Sequence, residues 1–477
     1  MPRRVVRVLH ADGEALRSGI ATVQAELGVS PDFPPDVLEA AEKAAQQPRL
    51  PELDRTDIPF LTLDPEGARD LDQALHLERD GDGYVVHYAI ADVAAFVSPG
   101  DPVDLEAHRR GETLYGADSK VPLHPPVLSE GAASLLPDQV RPALLWTIKV
   151  DATGEGTDVD VRRALVRSRA QLDYAGVQAQ LEAGTADPVF ALLKEVGELR
   201  QRREAARGGV SLPLPEQDIV VDGSRWTLEF RQMSPVEEWN AQLSLLTGMA
   251  GASLMVYARV GLLRTLPPPD PRDVQRLHRT AKALHIDWPA EQLYPDFIRS
   301  LDPALPNHAA MVLACTRLLR GSGYVGFDGE VPAQPEHSAL ASEYAHVTAP
   351  LRRLADRYAG EVCVALCAGE EVPEWVLARL RELPDTMQEA ARRANAYEKA
   401  LLNLVEATVL QPYVGSAFDG VIVAVEEKDA TQGDVVVAEP AVEARVTGAA
   451  ALPLGTDVSV RLVEADPGRR TVRFELA

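Results

Sequence analysis

The chain has 477 residues, of which 46% are apolar and 25% are charged. This composition is that of a globular protein and excludes a disordered or fibrous chain, and the length suggests about three domains. Acidic residues outnumber basic ones by 72 to 48, which gives a net charge of −24. A generic polyanion binder would be basic, so this charge argues against nucleic acid unless positive charge is segregated into a channel.

The sequence also bears on the compartment. Three cysteines occur, Cys315, Cys363 and Cys367. Three cannot form a disulfide framework or a four-cysteine zinc site, so we expect reduced thiols in a cytoplasmic protein. No secretory signal is apparent. The uncharged residues 239–258 contain several polar side chains, which favours a buried helix over a membrane span, and we expect no membrane association.

The hydrophobic pattern changes along the chain from helical to alternating, then back to helical, and finally to short strands. Residues 1–56 are predicted to form a short, mostly helical module. Residues 57–408 are predicted to form a mixed α/β (α+β) domain, because strands come early in it and helices later. Its predicted strands are 60–63, 71–77 and 84–93, with further candidates between 144 and 165. Its predicted helices are 170–208, 237–263, 272–284, 309–319, 351–367 and 375–408.

The last segment, residues 409–477, has an all-β pattern. Five short strands are predicted, at 421–425, 435–437, 444–446, 458–463 and 471–474, with glycines between them. Five strands in fewer than about seventy residues fit a small closed barrel such as the oligonucleotide-binding (OB) fold.

Three aspartates in one short segment carry the clearest chemical signal. Asp70 and Asp72 are two apart on a predicted strand, so their side chains point to the same face. Asp64 ends the preceding strand, and a loop through Gly67 folds it back toward that pair. Converging carboxylates repel unless a cation lies among them, and hard oxygen ligands select Mg²⁺ or Mn²⁺. Such a site suits metal-assisted phosphoryl transfer, and a solvated acidic turn is the alternative.

Five segments in order resemble the RNB catalytic domain of the ribonuclease II family. They are LDPEGARDLDQAL (63–75), AIADV (89–93), RGETLY (110–115), LSEGAASL (128–135) and TAPLRR (348–353). The five-stranded tail resembles the S1 RNA-binding domain. Together the matches cover about residues 57–477, and their ordered coincidence makes the resemblance specific.

The resemblance implies a hydrolytic 3′→5′ exoribonuclease that uses a divalent metal, Mg²⁺ with Mn²⁺ as a substitute, and releases nucleoside 5′-monophosphates. By position, Asp64, Asp70 and Asp72 would be the metal-site carboxylates, and Asp72 would be the one most needed for chemistry. Arg352 would hold a phosphate, where a bidentate guanidinium stabilises developing charge.

The resemblance also implies RNA contacts. Tyr115 would pack on the 3′-terminal base, and Tyr174 would contact a base just upstream, which makes binding tolerant of sequence. Glu398 lies where the family has a base-contacting glutamate. The implied partners are single-stranded RNA 3′ ends and structured RNA with a 3′ overhang, and the family suggests a monomer.

Two departures from the family pattern leave alternatives open. A fourth family aspartate is here Gln73, whose amide oxygen can ligate Mg²⁺ but brings no negative charge. A catalytically weakened RNA-binding protein on the same scaffold is therefore the alternative function, and a DNA exonuclease is a third. The two N-terminal cold-shock barrels of the family would need more chain than residues 1–56. We expect a different module there, for which a helix-turn-helix-like piece is one candidate, that alters how RNA is fed to the catalytic domain.

Overall fold

The computed structural model describes residues 13–116, 119–214, 216–222 and 225–477. The α-helices in this part of the chain are α1 (Gly13–Leu27), α2 (Pro35–Gln46), α3 (Pro102–Arg110), α4 (Tyr174–Ala183), α5 (Pro188–Arg207), α6 (Pro235–Ala258), α7 (Pro271–Ala283), α8 (Tyr294–Arg299), α9 (Pro306–Cys315), α10 (Leu354–Ala368), α11 (Glu374–Leu380) and α12 (Leu383–Leu410). Short 3₁₀ turns are Val93–Ala95, Thr316–Leu319 and Gln411–Tyr413, and Leu128–Ala132 forms a turn of π-helix.

The strands of the described residues belong to two barrels and four two-stranded pairs. They are β1 (Phe60–Asp64), β2 (Gln73–Asp80), β3 (Gly83–Ala91), β4 (Leu114–Tyr115), β5 (Lys120–Val121), β6 (Val140–Val150), β7 (Gly156–Asp173), β8 (Glu216–Asp222), β9 (Arg225–Arg231), β10 (Val260–Thr265), β11 (Gly323–Asp328), β12 (Glu336–His337), β13 (Ser342–Glu343), β14 (Ala417–Val425), β15 (Gln432–Ala438), β16 (Ala441–Thr447), β17 (Asp457–Asp466) and β18 (Thr471–Leu476).

The first barrel is closed and has the strand order β1-β2-β3-β6-β7. Its strands are antiparallel except where β1 pairs in parallel with β7 and closes the ring, with Asp64 opposite Asp173. Apolar side chains such as the fully buried Trp146 join these strands to α5, α6 and α10 in one large hydrophobic core. This mixture of strands and helices confirms the predicted fold class.

Helix α6 is long and apolar enough to cross a membrane by length and composition alone. It packs instead against α5 and α10, and residues such as Leu243 and Met255 are fully buried in the large core. At Gly248 the helix lies so close to residues 344–345 that an added Cβ would be 2.2 Å from the Tyr344 ring. The Gly248 carbonyl accepts a hydrogen bond of 3.1 Å from the Ala345 backbone N–H. The helix therefore supports the segment that leads to residues 348–353.

The second barrel confirms the predicted OB-type tail. It is closed and has the order β14-β15-β16-β18-β17. Its apolar side chains share one hydrophobic cluster with α1 and α12, in which Leu16, Val405 and Phe474 meet. Gly19 lets α1 approach α12 closely, because a Cβ there would be 2.7 Å from the Leu404 side chain. The helices α1 and α2 agree with the helical character predicted for the first 56 residues, of which residues 1–12 lie outside the described part.

Some predicted boundaries are wrong. The strand predicted over 71–77 begins at Gln73, so Asp70 and Asp72 lie just before it and not on it. The helix predicted over 237–263 ends at Ala258, because Arg259 takes a left-handed conformation (φ 61°) and β10 follows, paired with β11. Residues 170–173 belong to β7 and not to a helix. The hairpin of β8 and β9 was not predicted.

Candidate active site

Asp72 connects two parts of the chain that are far apart in sequence. It lies just before β2 and is 4% exposed. Its Oδ1 accepts a hydrogen bond of 2.8 Å from the backbone N–H of Leu351, and its Oδ2 lies 3.9 Å from Arg352 Nε. Burial raises the pKa of Asp72 well above its usual range, although Arg352 and the Leu351 N–H act in the opposite direction. The structure thus brings Asp72 and Arg352 together.

Asp64 ends β1 in the same neighbourhood. Its pKa is raised to about 7, chiefly by burial and then by the charge of Asp70, while Arg352 acts in the opposite direction. Its Oδ2 atom is buried and has no hydrogen-bond partner. A carboxylate oxygen in that state costs free energy unless a proton or a cation compensates it. This side chain therefore fits a hard divalent cation such as Mg²⁺ or Mn²⁺.

Asp70 is engaged differently from the other two aspartates. Its Oδ1 accepts from Lys120 Nζ at 2.6 Å, and the same ammonium group lies 3.0 Å from Glu130 Oε1. Within residues 13–116, 119–214, 216–222 and 225–477, no group of three or more His, Cys, Asp or Glu side chains lies close enough together to hold a metal ion. The charges of the three aspartates influence one another, but their side chains do not converge on one point. This differs from the convergence that was expected from the sequence. The reason is that Lys120 holds Asp70, which lies in a connecting segment and not on a strand.

Gln73 is held by the same loop that contacts Asp72. Its Nε2 donates to the backbone carbonyl of Thr348 at 2.5 Å. Two successive residues, Asp72 and Gln73, thus bond to the segment 348–353, one as acceptor and one as donor. In this arrangement the Gln73 side chain fixes the loop through its amide nitrogen.

Two tyrosines named by the sequence flank the carboxylates. Tyr115 on β4 is 42% exposed. Desolvation of its hydroxyl raises the pKa of the phenol, and Asp70 and Asp72 add to the rise against Arg352. The Tyr115 hydroxyl therefore lies within electrostatic range of the carboxylates, while the residue stays partly open to solvent. Tyr174 begins α4, and its hydroxyl accepts from Asn240 Nδ2 at 3.3 Å. Burial raises the pKa of Tyr174 to about 12, and Asp64 contributes next.

The backbone places Tyr115 beside the arginines. The Thr113 N–H donates to the Arg352 carbonyl at 2.9 Å, and Glu112 forms an isolated antiparallel bridge with Arg353. The Arg353 guanidinium pairs with Asp356 through bonds of 2.8 and 3.0 Å, so this second arginine is committed to structure. Arg352 has a 41% exposed side chain and remains open toward the site.

Glu398 lies on α12 and is exposed. Partial desolvation of its carboxyl group raises the pKa of Glu398. Its negative charge also raises the pKa of Glu112, after the larger effect of desolvation. Glu398 therefore borders the site on the side of Glu112, and it makes no hydrogen bond or ion pair with the other predicted site residues in the described part of the chain.

Several residues at the site were not assigned from the sequence. Lys120 and Glu130 lie inside or beside segments that carry the resemblance, but nothing in their local pattern indicates that they meet at Asp70. Asn240, which bonds Tyr174, follows Val236-Glu237-Glu238. The first of these glutamates caps α6, because Glu237 Oε2 accepts from the Ser234 N–H at 2.5 Å. Only the three-dimensional arrangement shows these pairs.

Comparison with known proteins agrees with this architecture. Residues 53–366 match the RNB domain, and residues 416–477 match the RNase II-type exonuclease C-terminal S1 domain. The first barrel with its helices and the carboxylate site thus define a protein of RNB type. The chain belongs to the RNB-domain family of ribonuclease II.

The chain is similar to individual curated proteins and to solved structures. The chain is 27% identical over 407 residues to Ribonuclease R of Escherichia coli strain K12, covering 80% of this chain and 49% of that protein. It therefore spans about half the length of this curated relative. Among solved structures it is similar to Mycoplasma genitalium RNase R in complex with ribose methylated single-stranded RNA, with a TM-score of 0.86, 20% identity, and coverage of 97% of this chain and 78% of that one. It is also similar to yeast Ssd1, described as a pseudonuclease, with a TM-score of 0.71, 16% identity, and coverage of 90% and 55%.

Proposed function

We propose that this protein is a metal-dependent 3′→5′ exoribonuclease that hydrolyses RNA to nucleoside 5′-monophosphates. The proposal rests chiefly on the junction of Asp72 with the segment 348–353, which puts a buried carboxylate 3.9 Å from an open arginine, Arg352. The unpartnered Asp64 oxygen in the same neighbourhood supports it. Membership of the RNB-domain family supports the reaction class.

The residues would divide the work as follows. Asp64 and Asp72 would hold the divalent cation, and Arg352 would bind the scissile phosphate and stabilise the charge that develops on it. When bound, the cation supplies positive charge to the phosphate and acidifies the attacking water. Tyr115 would stack its exposed ring face on the terminal base, and Tyr174 would contact the base upstream. Glu398 and Gln73 are assigned only supporting positions, at the rim and in the loop.

The proposed substrates are single-stranded RNA 3′ ends and duplexes with a 3′ overhang. The related RNase R of M. genitalium has been solved with single-stranded and with double-stranded RNA. Contacts to the 2′-hydroxyl would favour RNA over DNA. We further propose a cytoplasmic monomer. The three cysteines, all in the described part of the chain, are free thiols, as a reducing compartment would keep them.

The test is an RNA degradation assay. The purified protein is incubated with Mg²⁺ and 5′-labelled single-stranded RNA, the same sequence as DNA, and an RNA duplex with a 3′ overhang. We expect stepwise shortening of both RNAs, release of nucleoside 5′-monophosphates, and no loss of DNA. Removal of the metal with EDTA should stop the reaction. Equal degradation of the DNA would contradict the RNA specificity.

A second function is favoured by a specific observation. Gln73 replaces a carboxylate of the family pattern and its amide is bonded to Thr348, while yeast Ssd1 shows that this fold also exists in a pseudonuclease. The alternative is therefore an RNA-binding protein without catalysis. In the same assay this alternative predicts intact RNA in every lane together with retained binding in a filter assay.

A further inference from the structure

The contact between Lys120 and Asp70 concerns how many cations the site takes. Lys120 Nζ lies 2.6 Å from Asp70 Oδ1 and 3.0 Å from Glu130 Oε1. The Lys120 and Asp70 side chains are only 25% and 18% exposed, so water screens this pair less than a surface ion pair. One of the three aspartates is therefore already neutralised by a side chain of the protein.

The sum of the charges around the site also bears on how many cations it can bind. Asp64, Asp70 and Asp72 face two cations, Lys120 and Arg352, and Glu130 lies within 3.8 Å of a third, Arg69. With all groups ionised, this set leaves one uncompensated negative charge. One divalent cation suffices to compensate it, and a second would meet a net positive site. Mg²⁺ is commonly bound by only one or two carboxylates, with waters and substrate phosphates as its other ligands.

We propose that Lys120 is a positioning residue that commits Asp70 to an ion pair and thereby limits the site to one divalent cation at Asp64 and Asp72. The proposal rests on the metal-dependent function above and deepens it, because it fixes the metal stoichiometry of that site. The Lys120 ammonium group would supply to Asp70 the positive charge that a second cation would otherwise bring.

The test counts bound Mn²⁺ in the 477-residue chain by isothermal titration calorimetry and by the EPR signal of free Mn²⁺. The wild type should bind one Mn²⁺. Lys120→Met frees two carboxylates, so it should bind a second Mn²⁺ or bind the first at least about tenfold more tightly. Lys120→Arg keeps the charge and should behave as the wild type. Lys149→Met, at an exposed lysine 3.9 Å from Asp158, is the matched control and should change nothing.

The double variant Lys120→Met/Asp70→Asn separates an ion-paired Asp70 from a metal ligand. It removes a neutral pair, so the Mn²⁺ affinity should stay within about threefold of the wild type. If Asp70 is a direct ligand, the double variant loses Mn²⁺ binding and the inference is overturned. A urea unfolding curve for each variant shows that it is folded.

The number of Mn²⁺ ions bound by the wild type distinguishes a failure of the role given to Lys120 from a failure of the metal-dependent function. Two bound Mn²⁺ would overturn the role of Lys120 and leave the exoribonuclease function standing. No bound Mn²⁺, with or without single-stranded RNA of the substrate sequence, would overturn the metal-dependent function and the inference with it. Cleavage rates measured alongside give a second readout, but metal stoichiometry decides the question.

Discussion

At the scale of single residues, the hydrogen bond between Asp72 and the Leu351 N–H makes it possible to test the charge of Asp72 without losing its structural contact. An asparagine at position 72 can still accept that bond through its amide oxygen, but it cannot supply negative charge. We expect Asp72→Asn to lower RNA cleavage by about 100-fold or more while the protein stays folded. The measurement is the rate of shortening of 5′-labelled RNA together with RNA affinity by filter binding.

The control for this change is Asp82→Asn, at an exposed position in the turn between β2 and β3. It should leave both cleavage and affinity as in the wild type. Asp72→Asn could instead lose RNA affinity while the bound RNA is still cleaved at the wild-type rate. That result would mean that Asp72 contributes to RNA binding and not to the reaction.

The residue scale also shows where sequence reasoning ends. The segments 63–75 and 348–353 could be singled out because each carries its pattern locally. The bond that joins them spans 279 positions, and the Lys120–Asp70 pair spans 50. No local spacing indicates such pairs, because they depend on how the barrel and its loops fold together. The engagement of Asp70 by a lysine was therefore missed, and the convergence of three carboxylates was overstated.

At the scale of elements, Gly248 on α6 is a close contact that should not tolerate a side chain. A Cβ there would lie 2.2 Å from the Tyr344 ring and 2.6 Å from the Ala345 carbonyl oxygen. We expect Gly248→Ala to destabilise the protein by about 1–3 kcal/mol despite the better helix propensity of alanine, because the packing is already full. Urea unfolding measures this effect.

The added methyl group would displace residues 344–345, which lead directly to residues 348–353. Gly248→Ala should therefore also slow RNA cleavage under conditions where the protein is folded. Ser253→Ala, an exposed change on the same helix, is the matched comparison and should be neutral or slightly stabilising. An unchanged unfolding midpoint in Gly248→Ala would show that α6 and the 344–345 segment can move apart freely.

A second element-scale feature is the carboxyl group of Glu406, buried between α12, β8 and β16. Gln217 Nε2 donates to it at 2.8 Å and also to the Ala441 carbonyl at 2.7 Å. Burial raises the pKa of Glu406 from 4.5 to about 7. The folded state thus binds a proton more tightly than the unfolded state, so stability is greatest below about pH 4.5 and falls as pH rises through about 7.

Glu406→Gln mimics the protonated form and should remove this loss. We expect the variant to be more stable than the wild type at pH 8 by roughly 3 kcal/mol at most, and to differ little at pH 5. Urea unfolding at both pH values measures the difference. Glu389→Gln, at an exposed position of the same helix, should show no such pH dependence. An equal effect of Glu406→Gln at both pH values would mean that the carboxyl group does not titrate on unfolding.

Elements differ in how well the sequence predicts them. The five C-terminal strands were placed correctly because short alternating runs between glycines are a local signal. The strand β10 was assigned to the preceding helix because Val260 to Leu263 continue its apolar run, and only the left-handed Arg259 ends it. The hairpin β8–β9 was missed although its sequence carries the dipeptide Asp222-Gly223, a strong turn signal, between two runs in which polar and apolar residues alternate.

At the scale of the whole molecule, the first helix and the last barrel form a single packing unit. Leu16 is fully buried in the cluster that also contains Val405 and Phe474, and Arg470 pairs with Glu26. We expect Leu16→Ala to cost about 2–5 kcal/mol and to loosen β18, which lies more than 450 positions away along the chain. Hydrogen exchange of the barrel amides measures the loosening. Leu50→Ala, at a 57% exposed leucine, should leave barrel exchange unchanged.

The parallel pairing of β1 with β7 sets a distance that no side chain controls. Because Asp64 stands opposite Asp173, the helix that begins with Tyr174 starts one residue from the end of the strand that carries Asp64. In the proposed function, this backbone register would set the spacing between the scissile phosphate and an upstream base. An engineer who wished to change the footprint on RNA would therefore shift this register by a pair of residues, and leave the tyrosine and the aspartate untouched.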